Sequence, residues 1–155
     1  MILQQAGLND IDELIQLRIA YLTDDFGQIS EDEKQCLTKQ LSDYFLRRLG
    51  TELIAFIARD NGRIVSVAQL HIIEIPANTT LLSGIRGEVL SVYTLPEYRG
   101  RGLCSQLMQN LLAYGKEAGL GRIDLSATEK GYPIYKKLGF KEKSGNYTEM
   151  RYQYE

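Results

Sequence analysis

Histidine, cysteine and long apolar runs are scarce in this sequence, and each scarcity removes a class of function. With one histidine, His71, and two cysteines, Cys36 and Cys104, no Cys/His zinc pattern can be written and no disulfide framework can form. No apolar run approaches the roughly 18 residues that mark a membrane-spanning helix. The first ten residues, MILQQAGLND, lack the basic start and apolar core of a secretory signal. Lysine and arginine, 18 together, are outnumbered by 20 aspartates and glutamates, for a formal net charge of −2. Nucleic-acid binding usually needs a basic excess or stripe, so neither nucleic acid nor membrane is an expected partner, and the expected compartment is the cytoplasm. What the 155 residues do contain is ordinary globular composition, 44% hydrophobic and 25% charged, at a length suited to one domain over residues 1–155.

Hydrophobic spacing lays out the elements. Residues 2–5 read as a short strand. Asn9 or Asp10 caps a helix whose apolar side is Ile11, Leu14, Ile15, Ile19 and Leu22, close to a 3.6-residue period. Ser30 and Glu33 match the S-x-x-E capping box, in which two side chains satisfy two backbone N–H groups reciprocally. Leu37, Leu41, Tyr44, Phe45 and Leu49 carry that second helix to a left-handed stop at Gly50. Two β-rich runs, ELIAFIARD and RIVSVAQLHIIEI, then flank Asn61-Gly62, the dipeptide best suited to a tight hairpin. Pro76 opens a loop over residues 76–87, and EVLSVYT is a further strand. Leu103, Leu107, Met108, Leu111 and Leu112 mark a helix that stops near Gly119. RIDLSAT is another strand, YPIYKKL a short helix closed by Gly139, and NYTEMRYQY a last strand that offers an edge for a homodimer. The order gives an α/β (α+β) class, a single mixed, mostly antiparallel sheet flanked by helices.

Between EVLSVYT and the leucine-rich helix lies LPEYRGRGLCS, residues 95–105. The first N–H groups of a helix have no partner within it, and the helix dipole adds partial positive charge there. Glycines let a phosphate approach those groups without a Cβ in the way. A glycine pair alone more often only shapes a turn; the strand–turn–helix context shifts the reading toward a phosphate site. No Lys-Ser/Thr follows at P-loop spacing, and Ser105 stands where the dinucleotide fingerprint needs its third glycine.

Arg99-x-x-Gly102-x-Cys104, with Pro96 upstream, resembles the central Arg/Gln-x-x-Gly-x-Gly/Ala motif of the GNAT superfamily of acetyl-CoA-dependent N-acetyltransferases. Cys104 stands in the place of the usual Gly or Ala. A second stretch, ATEKGYPIYKKLGF (127–140), is similar to the family's C-terminal signature ending Tyr-x-Lys-Leu-Gly-Phe. The resemblance is strong from Glu88 to Phe140. It implies a GNAT fold whose sheet splays between the strand before the glycine turn and the strand that follows. It implies acetyl-CoA as cofactor, its diphosphate on the turn formed by Arg99, Gly100, Arg101, Gly102, Leu103, Cys104 and Ser105. Its pantetheine arm would pair with the main chain of Val92, Tyr93 and Thr94 by strand addition. Thr128 takes the place of an asparagine that contacts the cofactor in many members.

The resemblance also aligns Tyr135 with the tyrosine that protonates the departing thiolate, and Glu88 with a glutamate that serves some members as general base, directly or through water. Both roles suit the chemistry: a thiol leaves, and an amine of pKa about 10.4 must lose a proton before it attacks. Each has a plain alternative. Tyr135 is one of 10 tyrosines and a short helix often carries a core aromatic; Glu88 follows Gly87 and can be an exposed strand-end charge. Cys104 is either a thiol activated at a helix N-terminus or a small filler under the cofactor, and the absence of a second histidine favours the filler. His71 and Glu74 face either the acceptor pocket or solvent. DDFGQISEDE, residues 24–33, is either an acceptor-side loop for cations or an acid-rich helix start. The implied reaction moves an acetyl group to a primary amine, on a small molecule or a peptide, by direct attack without metal or covalent enzyme intermediate. A non-catalytic acyl-CoA-binding regulatory module is the alternative.

Overall fold

The computed structural model describes residues 1–154. Its five strands are β1 (Ile2–Gln5), β2 (Leu53–Asp60), β3 (Arg63–Glu74), β4 (Ile85–Thr94) and β5 (Ile123–Asp124), and its helices are α1 (Ile11–Phe26), α2 (Glu31–Arg48), α3 (Leu103–Glu117) and α4 (Tyr132–Lys137). The strands lie in sequence order, antiparallel from β1 to β4, with β5 parallel to β4 through the α3 crossover. Among the described residues no helix is long and apolar enough to cross a membrane.

Local chemistry fixes most of these elements. Ser30 Oγ accepts from the Glu33 N–H at 3.2 Å, and Glu33 Oε2 accepts from the Ser30 N–H at 2.9 Å, the reciprocal cap expected for α2. Asn61 and Gly62 have φ of 47° and 82°, the left-handed pair that a two-residue hairpin turn requires. The apolar runs of β2 and β3 are buried along nearly their whole length. They are therefore covered on both faces: α1 and α2 pack together on one side, and α3 packs across β2, β3 and β4. Phe45, Leu14, Ile54, Ile57, Leu107 and Leu111 are fully buried at the centre, each contributing about 1.5–3 kcal/mol of apolar transfer.

Four expectations change. Residues 8–10 form a 3-10 turn rather than a simple cap: Asp10 Oδ2 accepts from the Gly7 N–H at 2.8 Å, while its Oδ1 pairs with Arg59 at 2.5 Å. β4 starts at Ile85 instead of Glu88, because the Ile75 N–H and Gly84 O (2.8 Å) already draw the loop into the sheet. The strand expected over residues 122–128 shrinks to Ile123–Asp124. The last expected strand, residues 146–154, is exposed and has no regular structure. Its alternation of Met150, Tyr152 and Tyr154 is a strand signal, but no described strand pairs with it, and burial on one face is what such a pattern needs to become a strand.

Candidate active site

Two irregularities of β4 open the site. Gly87 faces Ile123 and Glu88 faces Asp124 across the parallel ladder, and pairing with β5 ends there. On the other side, Leu70 faces Val89 while Gln69 faces Ser91, so Leu90 is an extra residue, a β-bulge. The Gly87 N–H points to β5, donating to Arg122 O at 2.9 Å, whereas the Leu95 N–H points to β3, donating to Val65 O at 2.9 Å. Strand alternation back from Leu95 then directs the peptide groups of Tyr93 to β3, and those of Val92 and Thr94 to the open edge. A central strand is thereby left without a neighbouring strand on that edge beyond Glu88, and of the groups turned to it Thr94 O is taken by a side chain, Arg99 Nε at 2.9 Å.

The glycine turn adjoins that edge. Gly100 and Gly102 have φ of 74° and 76°, a region closed to most side chains. Gly102 is the N-cap of α3 and supplies no side-chain cap. The Gln106 N–H donates to Gly102 O at 3.1 Å, so the N–H groups of Leu103, Cys104 and Ser105 precede the first helical bond. The Leu103 side chain is buried in the core, which leaves only its amide to serve the turn.

Open edge, turn and α4 enclose a cleft of about 500 Å³, bordered by Tyr21, Asp24, Val92, Thr94, Cys104, Thr128 and Tyr135 among others. That size and mixed lining suit a cofactor arm. Tyr135 packs edge-on to Phe140, centroids 5.9 Å apart. Burial, then the neighbouring Cys104 and Tyr21, push its phenol up to about 12. Burial likewise pushes the Cys104 thiol up, opposite to what an activated nucleophile shows; the residue is half-buried. Thr128 Oγ1 accepts from the Gly131 N–H at 3.1 Å, keeping its own proton available toward the cleft it lines.

Arg99 and Arg101 are braced on the protein. Arg99 Nε donates to Thr94 O at 2.9 Å, Nη2 donates to Asp24 Oδ2 at 2.9 Å, and the guanidinium lies 5.5 Å from the Tyr93 ring centroid. Arg101 Nη2 donates to Glu97 O at 2.9 Å, over the Tyr98 ring at 4.8 Å. Tyr93 turns its side chain toward α1, its hydroxyl on Asp24 at 2.8 Å and its ring 5.8 Å from Tyr21.

Glu88 is not among the residues bordering the cleft that holds Tyr135. It sits where β4 and β5 part, half-exposed, 3.5 Å from Arg86, directly across from His71 on β3. Burial, with Arg48 and Arg86 adding to it against Glu88, holds the His71 imidazole below its usual range. His71 does not border the cleft either, and Glu74 ends β3 in solvent. The sequence reading missed Tyr21 altogether and knew Asp24 only as part of an acidic segment. The signal available was the run YLTDDF, a tyrosine and two acids at a helix C-terminus, where acids are locally unfavourable.

The site has counterparts. A profile of the acetyltransferase (GNAT) family matches residues 11–140. The glucosamine 6-phosphate N-acetyltransferase of Trypanosoma brucei brucei is 34% identical over 95 residues, 61% of this chain and 63% of that one, so the chain matches under two thirds of that relative's length. N-alpha-acetyltransferase 30 of Schizosaccharomyces pombe is 29% identical over 123 residues, 77% of each chain. A predicted acetyltransferase from Clostridium acetobutylicum, crystallised with acetyl-CoA, superposes with a TM-score of 0.80 at 27% identity, covering 97% of this chain and 95% of that one. A GCN5-related N-acetyltransferase from Ralstonia eutropha shares the fold at 22% identity, with a TM-score of 0.80 over 96% and 97% of the two chains. With the splayed sheet, the bulged central strand and the glycine turn in place, the chain belongs to the acetyltransferase (GNAT) family.

Proposed function

We propose that this protein transfers an acetyl group from acetyl-CoA to a primary amine, with Tyr135 as proton donor and Glu88 as proton acceptor. The observation that carries this reading is the continuity of the open edge at Val92 and Thr94 with the uncapped turn Gly102–Ser105. The edge supplies strand-type hydrogen bonds to an extended amide-bearing arm, and the turn supplies helix N-terminal amides to a diphosphate. Arg99, Gly100 and Arg101 shape that turn, and Cys104 fills the space beneath it.

Acetyl-CoA, when bound, supplies a thioester carbonyl and a thiol leaving group. The chain's own residues handle the protons. Tyr135 Oη, with its pKa pushed to about 12, keeps its proton at neutral pH and holds it beside Cys104, where the turn meets the cleft. Glu88 is half-exposed at the mouth of the splay, where a carboxylate can take a proton from an arriving ammonium directly or through water. Thr128 donates its free hydroxyl proton in place of an asparagine amide.

The relatives are named for glucosamine 6-phosphate and for an α-amino group, so both kinds of amine belong in the test. Thiol release from acetyl-CoA is followed with glucosamine 6-phosphate, a peptide bearing a free α-amino group, polyamines and aminoglycosides. Transfer to one class with E88Q reduced about 10²-fold or more in kcat/KM supports the assignment. Tight CoA binding without transfer to any of them would identify a regulatory module instead.

A further inference from the structure

Asp24 lies in the last turn of α1, beside Asp25, with no basic residue in that turn. Acids at a helix C-terminus oppose the helix dipole, and a local rule broken in this way calls for a compensating role elsewhere. The compensation is visible: Asp24 Oδ2 accepts both the Tyr93 hydroxyl at 2.8 Å and Arg99 Nη2 at 2.9 Å. Those two bonds, Tyr93 first, hold the Asp24 carboxyl below the usual carboxylate range.

Arg99 opens the glycine turn. Two of the next three residues, Gly100 and Gly102, are left-handed glycines, the residue type with the most backbone freedom to lose. A turn so built is poorly ordered unless its side chains are anchored, and the arginines alternating with the glycines provide the anchors. Arg101 is held locally, on Glu97 O and the Tyr98 ring. Arg99 is held locally on Thr94 O at the open edge and on the Tyr93 face, and at long range on Asp24, 75 residues away in sequence.

We propose that Asp24 is a positioning residue for the cofactor turn, acting through Arg99. It clamps the guanidinium against Tyr93 and Thr94, so that the amides following Gly102 are presented in a fixed orientation before ligand arrives. The inference rests on the acetyl-CoA reading of the turn and extends it to a residue on the first helix, outside both sequence motifs. It also assigns the arginine–glycine alternation a structural purpose, with the arginines serving as struts for the turn.

The test is calorimetric binding of CoA, with acetyl-CoA steady-state kinetics, for the wild type, D24N, D24E, R99Q and D24N/R99Q. The expected result is a Kd for CoA and a KM for acetyl-CoA raised about tenfold in D24N, kcat within about twofold, and partial recovery in D24E. In the R99Q background D24N adds little further to Kd, since the bond by which Asp24 reaches the turn is already gone and only its bond to Tyr93 remains to be lost. Unchanged or tighter CoA binding by D24N, or additive losses in the double variant, overturns the role of Asp24 while leaving the acetyl-CoA reading intact. A wild-type protein that fails to bind CoA overturns both. A lower Tm with an unchanged Kd marks a merely structural contact and also overturns the proposal.

Discussion

Glu88 and Asp124 face one another across the parallel ladder, and beyond this pair β4 and β5 separate. Asp124 is held on its side by Arg86 at 3.4 Å and Arg122 at 3.1 Å. Arg86 also reaches Glu88 at 3.5 Å. The point where the sheet opens is thus pinned by charge, and the edge running from Val89 to Thr94 starts from a fixed vertex.

Tyr135→Phe removes the proton and leaves the ring packed on Phe140. The expected outcome is a kcat lowered about 10²-fold or more, with KM for acetyl-CoA within about twofold. Thiol-release kinetics at saturating acceptor decide it, and an unchanged kcat removes Tyr135 from the mechanism.

Gly102→Ala meets no crowding, since Gln106 Nε2 at 3.7 Å is the nearest atom to the added Cβ, but φ of 76° strains it. The strain costs about 1–2 kcal/mol, relieved by rotating the amides that follow. KM for acetyl-CoA should rise while kcat changes little. Gly119→Ala, at φ of 73° with open space around it, should cost similar stability and leave that KM alone. Comparing Tm and KM of the two variants checks the claim, and equal KM values would refute it.

Acid should unfold the protein partly through Glu13. Its Oε2 accepts the Ile64 N–H at 2.8 Å and its Oε1 accepts Arg59 Nη1 at 2.7 Å. Burial alone would push this carboxyl up; the Ile64 N–H and Arg59 together outweigh it and hold it below the usual range. A depressed folded-state pKa contributes stability that is present above the unfolded value of about 4.3 and lost as pH falls through the folded one. Glu13→Gln should lose about 1–3 kcal/mol at neutral pH and flatten the acid limb in urea titrations at several pH values.

At the alkaline end the sign reverses. Burial raises both Tyr93, where the bond to Asp24 adds to it, and Tyr135 to about 12, against about 10 in an unfolded chain. The folded form keeps protons that the unfolded form sheds, so their contribution is complete below pH 10 and declines as pH rises through 12. Urea midpoints between pH 9 and 11.5 should fall in the wild type and fall less in Tyr135→Phe. Parallel curves would contradict this.

Much of this architecture was legible before any coordinates. The Ser30–Glu33 box, the Asn61-Gly62 turn and the leucine spacing of α3 are rules satisfied within a few residues, and each holds. The glycine turn and the Tyr135 segment were legible as motifs. The segment over residues 146–154 misled because alternation reports only a capacity to be half-buried, and a neighbouring strand must realise it. The strand over residues 122–128 misled for a related reason: its β-forming residues pair with β4 only at Ile123 and Asp124.

Short-range pattern by itself determined the helices, the hairpin and the glycine turn, because each depends on hydrogen bonds and side chains closely spaced along the chain, and two short motifs carried the resemblance to the family. Tertiary structure alone decided the extra residue at Leu90, the length of edge left free on β4, and the meeting of Asp24 with Tyr93 and Arg99. Those depend on register between strands and on contacts 69 and 75 residues apart, and no local pattern encodes which distant partner completes them.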